Sequence, residues 1–198
     1  MKKLTFLLIP ILITIAIVEF FLILKKPNFI ELDKELGWKV KSNFNHSYNQ
    51  TDLVNKKYKA NFKTDKYGMR NFHTDSEFSS EIKIFVFGDS FTSDPYASND
   101  KMWFSEITKK IAKNYKTNAS VYSIGAGGYG NLQQLLSIKK LKKNGFEFDE
   151  MDLIIFQFCN NDFINNSLRI EKKLNVYNQY TRRPYLRNNK IIFDNSLI

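Results

Sequence analysis

Cysteine and histidine are scarce in this sequence, which holds one Cys and two His among 198 residues. A single Cys cannot form an intramolecular disulfide, and no group of Cys and His has the spacing of a metal site. The four Pro and eight Gly exclude a collagen-like chain, and the 43% of hydrophobic residues excludes a wholly disordered one. We therefore expect one ordinary globular domain, with no metal and no other cofactor.

Negative charge is also in short supply, since 30 Lys and Arg oppose 20 Asp and Glu and give a formal net charge of +10. Most of the positive residues are Lys spread along the chain, and only five are Arg. No zinc-finger spacing or RNA-binding aromatic motif accompanies them, so nucleic acid is not predicted as a partner. Attraction to an anionic membrane surface explains the excess positive charge at least as well as nucleic-acid binding does.

The longest hydrophobic run lies near the N-terminus, where residues 4–24 are apolar apart from four positions and Lys pairs flank both ends. A run of 21 residues matches the thickness of a bilayer, and no small-residue cleavage site follows it. Residues 1–26 are therefore expected to form an uncleaved transmembrane anchor in the lipid bilayer. Counted literally, the flanking lysines would keep the body of the protein in the cytoplasm, but long domains cross membranes despite such charge.

The segment after the anchor, residues 27–81, is polar and rich in Asn, Lys and Tyr. Alternation over Tyr58–Lys63 predicts a strand, and Tyr67–Met69 predicts a turn. We expect a spacer with some strand pairing that covers the front of the following domain, residues 82–198.

From residue 82 onward, short apolar runs alternate with amphipathic stretches. The runs Ile82–Phe87, Ser120–Ile124 and Leu153–Phe158 predict buried strands, and apolar residues at helical spacing predict helices over Trp103–Tyr115 and Asn131–Lys143. Strands that alternate with helices imply right-handed crossovers and helices on both faces of a sheet. The predicted fold is α/β, a three-layer α/β/α arrangement around a mainly parallel sheet.

A polar or glycine-rich cluster follows each of the three predicted strands. The clusters are Gly88–Thr92, Gly125–Gly130 and Cys159–Asp162. They share one edge of the sheet, because the carboxyl ends of parallel strands lie together. Ser90 fits an exposed nucleophile, and Gly128 and Asn161 fit donors to a developing oxyanion. The pattern indicates acyl transfer, with a helix N-cap as the alternative role of Ser90.

The second cluster also satisfies Gly-x-Gly-x-x-Gly between a strand and a helix. A dinucleotide site needs an acid at the end of the next strand, about twenty residues on. The acids of Glu147–Asp152 precede that strand, and Asp162 comes too late. We therefore predict no dinucleotide cofactor.

The three ordered clusters, with helices between them, resemble blocks one, two and three of the SGNH (GDSL-like) hydrolase family. Two upstream segments, Gly37–Trp38 and Tyr67–Asn71, resemble the lead-in of its membrane-anchored bacterial members. The likeness covers most of the chain after the anchor, and it implies a flavodoxin-like core and ester hydrolysis through an acyl-Ser intermediate.

The resemblance also implies a role for each matching residue. Ser90 would be the nucleophile, and its own N–H would join the Gly128 N–H and the Asn161 side chain in the oxyanion hole. Asp89 and Asp162 would hold the loops by hydrogen bonds, with turn capping favoured over direct chemistry.

Two departures from the family pattern stand out. Cys159 occupies the position where the third block usually begins with Gly, and a core Cys is favoured over a reactive thiol. The family's C-terminal Asp-x-x-His is absent, and both His46 and His73 precede Ser90. Since a Ser hydroxyl needs a base to become a competent nucleophile, we expect this chain to be almost inactive.

The C-terminal residues offer an explanation. Residues 182–194 predict a β-hairpin of the kind found inside a longer protein, so we expect a truncated core with a missing segment or a partner chain that completes it.

The combined expectation is a membrane-anchored ester hydrolase with an extracytoplasmic globular part. Its substrates would be acylated small molecules or acyl esters of surface glycans. The alternatives are a non-catalytic tethered surface protein and, in the complete form, an O-acyltransferase.

Overall fold

The computed structural model describes residues 10–15, 17, 28–75, 78, 81–174 and 182–193. From residue 28 onward these residues form ten strands and five α-helices. The strands are β1 (Ile30–Asp33), β2 (Gly37–Val40), β3 (Asn45–Thr51), β4 (Lys57–Lys63), β5 (Arg70–His73), β6 (Glu81–Gly88), β7 (Asn118–Gly125), β8 (Leu153–Phe156), β9 (Pro184–Arg187) and β10 (Lys190–Phe193). The helices are α1 (Ser90–Ser93), α2 (Trp103–Tyr115), α3 (Asn131–Lys143), α4 (Asn161–Asn165) and α5 (Leu168–Leu174), with a 3-10 turn at Asn99–Lys101.

The two long helices confirm the ranges that the apolar spacing predicted, Trp103–Tyr115 and Asn131–Lys143. Helix α2 ends because Lys116 takes a left-handed conformation and its N–H bonds back to the Ala112 carbonyl. Helix α3 begins at Asn131, and in its first turn the Gln133 side chain accepts a hydrogen bond from the N–H of Gly130, the N-cap residue.

The largest sheet has four strands in the order β5-β7-β6-β8. Strand β6 pairs in parallel with β7 on one side and with β8 on the other, whereas β5 runs antiparallel to β7. The register sets Gly88 opposite Gly125 and Phe87 opposite Phe156. The carboxyl ends of β6, β7 and β8 therefore meet at one edge, and the loops that follow them are neighbours.

Alternating side chains of β6 pack on the two faces of this sheet. Ile84 and Val86 join Phe104 of α2 in one buried cluster. Phe85 and Phe87 join Leu141 of α3 in another. The central strand is thus covered on both faces, which makes its end a rigid support for the residues that follow.

The polar segment before β6 forms two hairpins, β1–β2 and β3–β4, and contributes β5 to the main sheet. Trp38 of β2 is fully buried and donates its indole N–H to the Gly127 carbonyl at 3.0 Å. The Tyr129 hydroxyl returns a hydrogen bond to the Trp38 carbonyl at 2.7 Å. These bonds fasten the N-terminal hairpin to the glycine-rich loop after β7.

The predicted C-terminal hairpin is confirmed as the antiparallel pair β9–β10. Its two-residue turn, Asn188–Asn189, has positive φ at both positions, as a tight hairpin turn requires. Just before β9, Arg183 is 4% exposed and forms an ion pair with the equally buried Glu171 of α5, at 3.2 Å from Nε to Oε1. The Tyr185 hydroxyl bonds to the second oxygen of Glu171, so the hairpin is held by a buried charge pair.

The expectation of a three-layer, mainly parallel architecture is wrong. Three of the ten strands in the described residues pair in parallel, and the fold is mixed α/β with one mixed sheet and three small antiparallel sheets. The connections within those small sheets have three, five and two residues. Such lengths permit hairpins, whereas a parallel pair needs a crossover of a dozen residues or more.

The third predicted strand also differs from expectation, because β8 is not buried. Leu153, Ile154 and Phe156 are 40–54% exposed. Strand β8 pairs with β6 on one side and is the last strand of the sheet order. An edge position explains why an apolar run is left partly in solvent.

The transmembrane anchor predicted for residues 4–24 is corrected as well. Within the described part of the chain, no helix has the length and apolar character needed to cross a membrane. Most of residues 4–24 lie outside that part, and those within it, 10–15 and 17, are helical and exposed. The expected single-pass membrane location, with an extracytoplasmic globular part, is corrected by the same finding.

Replacing Arg183 by Met tests the buried ion pair. Arg183→Met leaves the Glu171 carboxylate buried without its cation, which is expected to lower the free energy of unfolding by about 3–5 kcal/mol. The matched control is Arg182→Met, since Arg182 is exposed and stacks on Phe193 at 4.6 Å, and its loss is expected to cost less than about 1 kcal/mol. Urea unfolding followed by tryptophan fluorescence measures both, and equal effects would contradict the assignment.

Candidate functional site

The three predicted clusters lie at the carboxyl ends of β6, β7 and β8. Ser90 is the first residue of α1, directly after β6, and its side chain is exposed. Asp89, fully buried beside it, is the N-cap of α1 and accepts a hydrogen bond from the Phe91 N–H at 3.0 Å. The capping role predicted as the alternative for Ser90 therefore belongs to Asp89, and the Ser90 hydroxyl is left free for other use.

Close backbone packing joins the ends of β6 and β7. A Cβ atom on Gly125 would lie 2.7 Å from the Gly88 carbonyl oxygen and 2.9 Å from that of Asp89. Real Cβ atoms do not approach backbone oxygens so closely, so only glycine fits at residue 125. Two residues later, a Cβ on Gly127 would meet nothing within 4 Å.

Gln157, the first residue after β8, joins the loops that follow β6 and β8. Its Oε1 accepts from the Asp89 N–H and from the Thr92 hydroxyl, both at 3.2 Å. Its Nε2 donates to the Cys159 sulfur at 2.8 Å. The amide thereby holds α1, and with it Ser90, against the third cluster.

Two buried carboxylates and a half-buried thiol lie in the loops that follow β6 and β8. Asp89 and Asp162 are each fully buried, and each keeps one carboxylate oxygen without a hydrogen-bond partner. The other oxygen of Asp162 accepts from the Cys159 N–H at 3.2 Å. Burial raises the pKa of Asp162, and the nearby charge of Asp89 adds to the rise.

Cys159 is half-buried, and its thiol accepts the hydrogen bond from the Gln157 side chain. Burial raises the pKa of the Cys159 thiol, and the carboxylate of Asp89 raises it further. The thiol therefore stays protonated at neutral pH and is a poor nucleophile. The sequence favoured a core Cys over a reactive thiol, and the half-buried position of Cys159 does not make it a core residue.

The loop after β7 is shaped by two bonds to its carbonyls. Arg183 Nη1 donates to the Gly128 carbonyl and, at 2.8 Å, to Gln133 Oε1. The indole N–H of Trp38 donates to the Gly127 carbonyl. With φ at +77°, Gly128 adopts a conformation that side-chain-bearing residues avoid. Since its carbonyl is bound to Arg183, its N–H is the group left for a ligand.

Three predicted groups at this edge have no hydrogen-bond partner within the described residues: the Ser90 hydroxyl, the Gly128 N–H and the Asn161 side-chain amide. Asn161 is half-buried at the start of α4. Because β6 lies between β7 and β8, Ser90 lies between the loops that carry the other two groups. The sheet order thus brings the predicted nucleophile and donors to one edge.

Neither histidine belongs to this edge. His73 pairs with Ser120 across β5 and β7, and its Nδ1 lies 2.7 Å from Ser120 Oγ. Ser120 is five residues before Gly125 on β7, which is about 17 Å at the rise of a strand. His46 on β3 packs against the rings of Phe44 and Tyr48. In the described structure no histidine is in contact with Ser90.

Sequence reasoning missed Gln157 and Arg183 as parts of the site. Gln157 ends an apolar run and was included within the predicted strand, although a polar residue there is itself a signal of a strand end. Arg183 was assigned only to the hairpin, and its partner Gly128 lies 55 residues away. No local pattern indicates a contact over such a distance.

Comparisons with family models, with curated proteins and with solved structures found no match to the chain. The resemblance to SGNH hydrolases therefore stays a prediction from the sequence motifs.

Paired glycine substitutions test the close approach of β6 and β7. Gly125→Ala would force the two strand ends apart and is expected to lower the free energy of unfolding by about 1–3 kcal/mol, the usual cost of overpacking. Gly127→Ala, two residues away in open space, is expected to be neutral or slightly stabilising. Thermal unfolding of both variants measures the difference, and a tolerated alanine at residue 125 would contradict the packing.

Asp162→Asn tests the buried carboxylates. Because the pKa of Asp162 is raised on folding, its ionised form costs stability at neutral pH, and this cost vanishes below the ordinary value of 3.8. The asparagine oxygen can still accept from the Cys159 N–H, so we expect the variant to be more stable than the wild type at pH 7 by about 1 kcal/mol. The gain should shrink as the pH falls towards 3.8.

Asp162→Ala is the matched control for this substitution. It removes the charge together with the hydrogen bond, so it is expected to be less stable than Asp162→Asn at every pH. Melting temperatures between pH 3 and pH 8 measure both variants. A stability gain of Asp162→Asn that did not change with pH would show that the ionisation of Asp162 is not the cause.

Proposed function

We propose that this chain carries the nucleophile and the oxyanion hole of an ester hydrolase site of the SGNH type. The observation that carries the proposal is the placement of Ser90 between two loops whose polar groups have no internal partner, the Gly128 N–H and the Asn161 amide. Unsatisfied donors beside an exposed hydroxyl are what a tetrahedral oxyanion requires. The ordered motifs of the sequence support the same function.

In the proposed reaction, Ser90 Oγ attacks the carbonyl carbon of an ester and the hydroxyl proton passes to a base. The carbonyl oxygen becomes an oxyanion that the Ser90 N–H, the Gly128 N–H and the Asn161 amide stabilise. The bond from the carbonyl carbon to the alcohol oxygen then breaks, and the alcohol leaves with a proton. Water hydrolyses the resulting acyl-Ser90 ester, which releases the acid and restores the hydroxyl. The substrate class is an ester of a small molecule or of a glycan.

The base is the missing part of this reaction. Within the described residues neither His46 nor His73 is in contact with Ser90. The buried carboxylates of Asp89 and Asp162 accept hydrogen bonds from the backbone N–H groups of Phe91 and Cys159. In serine proteases, removal of the histidine base lowers kcat by a factor on the order of 10⁶. We therefore propose that hydrolysis by this chain alone is close to background, and that the oxyanion hole supports slow attack on highly reactive acyl or phosphonyl groups.

A fluorophosphonate probe tests the proposal, because it reacts with a nucleophilic serine without needing a later hydrolysis step. The wild-type chain is expected to be labelled slowly, and Ser90→Ala is expected to abolish the labelling. The matched control is Ser93→Ala, a change of the same type one turn further along α1, where the hydroxyl bonds to the Ser90 carbonyl. Labelling of Ser93→Ala should equal that of the wild type.

Imidazole in solution sharpens this experiment. Since no histidine of the described residues contacts Ser90, added imidazole is expected to accelerate the labelling of the wild type and of Ser93→Ala, but not of Ser90→Ala. Equal labelling of wild type and Ser90→Ala would exclude Ser90 as the nucleophile. If no variant is labelled with or without imidazole, the chain is a non-catalytic protein that retains the site geometry.

A further inference from the structure

A cavity of about 340 Å³ lies away from the Ser90 site, between the turn that joins β1 and β2, the second half of α3, and strand β10. Its residues are Lys34, Glu35, Leu136, Lys139, Lys140, Lys143, Ile191 and Phe193. We call it the lysine-rimmed cavity. Its volume is at the lower end of the range for small-molecule sites, roughly 300–1,000 Å³.

The floor of the lysine-rimmed cavity is apolar. Leu136 is 8% exposed, and Ile191 of the C-terminal hairpin is 44% exposed. Phe193 follows on the same strand and carries the guanidinium of Arg182 over its ring at 4.6 Å. The exposed apolar surface of Ile191 faces this cavity, and a hydrocarbon chain bound there would remove that surface from water.

The rim of the cavity carries more positive charge than the neighbouring acids neutralise. Lys140 pairs with the buried carboxylate of Asp33 and lies 3.7 Å from Glu35, and Lys143 lies 3.3 Å from the other oxygen of Glu35. Four lysines thus face two carboxylates. Of these four lysines, Lys34 and Lys139 form no ion pair with any residue that the structure describes.

We propose that the lysine-rimmed cavity binds an amphipathic anion, a carboxylate on an unbranched hydrocarbon chain of medium length. The carboxylate would lie between Lys34 and Lys139, which supply the uncompensated positive charge. The hydrocarbon chain would lie on Leu136, Ile191 and Phe193. An anion without a chain would leave the floor exposed, and an alcohol with the same chain would leave the two amines without a partner.

This site is independent of the function proposed for Ser90. None of its residues belongs to the loops that follow β6, β7 and β8. The Ser90→Ala variant is therefore expected to bind the amphipathic anion as well as the wild type. Failure of one proposal would leave the other standing.

Titration of the full chain with decanoate, below the concentration at which decanoate forms micelles, tests the proposal. Heat release measured by isothermal titration calorimetry is expected to show saturable binding, and the affinity should fall with rising salt. Lys139→Gln and Lys34→Gln are each expected to weaken the affinity by about three- to fivefold, the effect of one exposed ion pair. Both changes are at the surface and keep most of the side-chain stem.

Lys142→Gln is the matched control, since Lys142 is an exposed residue of the same helix that does not line the cavity. It should bind decanoate like the wild type. Ile191→Gln is expected to weaken the binding of decanoate and to leave that of acetate unchanged. The proposal is overturned if decanoate does not bind, or if Lys139→Gln and Lys142→Gln behave alike. Acetate that binds as tightly as decanoate would show a simple anion site, and decanol that does so would show that charge has no role.

Discussion

The buried guanidinium of Arg183 is the interaction on which the rest of this structure depends. It pairs with Glu171, bonds to the Gly128 carbonyl and to Gln133, and stacks on Trp38 at 4.9 Å. Elements from both ends of the described chain thereby meet around one charge. A buried cation is stable only when an anion and further acceptors surround it, so its position determines where each of these elements lies. The conformation of the glycine-rich loop follows from this requirement.

Buried polar side chains also hold together the loops at the edge of the sheet where the candidate site lies. Gln157 satisfies the backbone of Asp89 and the hydroxyl of Thr92, while the carboxylates of Asp89 and Asp162 each keep an oxygen without a partner. Buried unpaired oxygens cost stability, so the hydrogen bonds that Gln157 makes do not fully compensate the burial of polar groups at this edge.

Helix α3 connects the two proposed sites while keeping them apart. Its first turn follows the glycine-rich loop, and its middle carries Leu136 and Lys139 in the lysine-rimmed cavity. A helix is stiff over this length, so the same element supports both places without any shared residue. Four of the lysines that are spread along the sequence line this cavity, because turn, helix and hairpin converge there.

Local patterns determined much of this protein. The ranges of α2 and α3, the hairpin at residues 184–193 and the clusters after three strands were all predictable, because helical spacing, turn residues and strand propensity act between neighbours in sequence. The tertiary structure alone decided that β5 enters the sheet antiparallel, that β8 lies at an edge, and that Arg183 contacts Gly128. Those features depend on contacts between residues far apart in the chain, where burial and charge neutralisation, rather than local periodicity, select the partner. The order of the chain already argued against His46 and His73 as partners of Ser90, and the fold gives each of them other contacts.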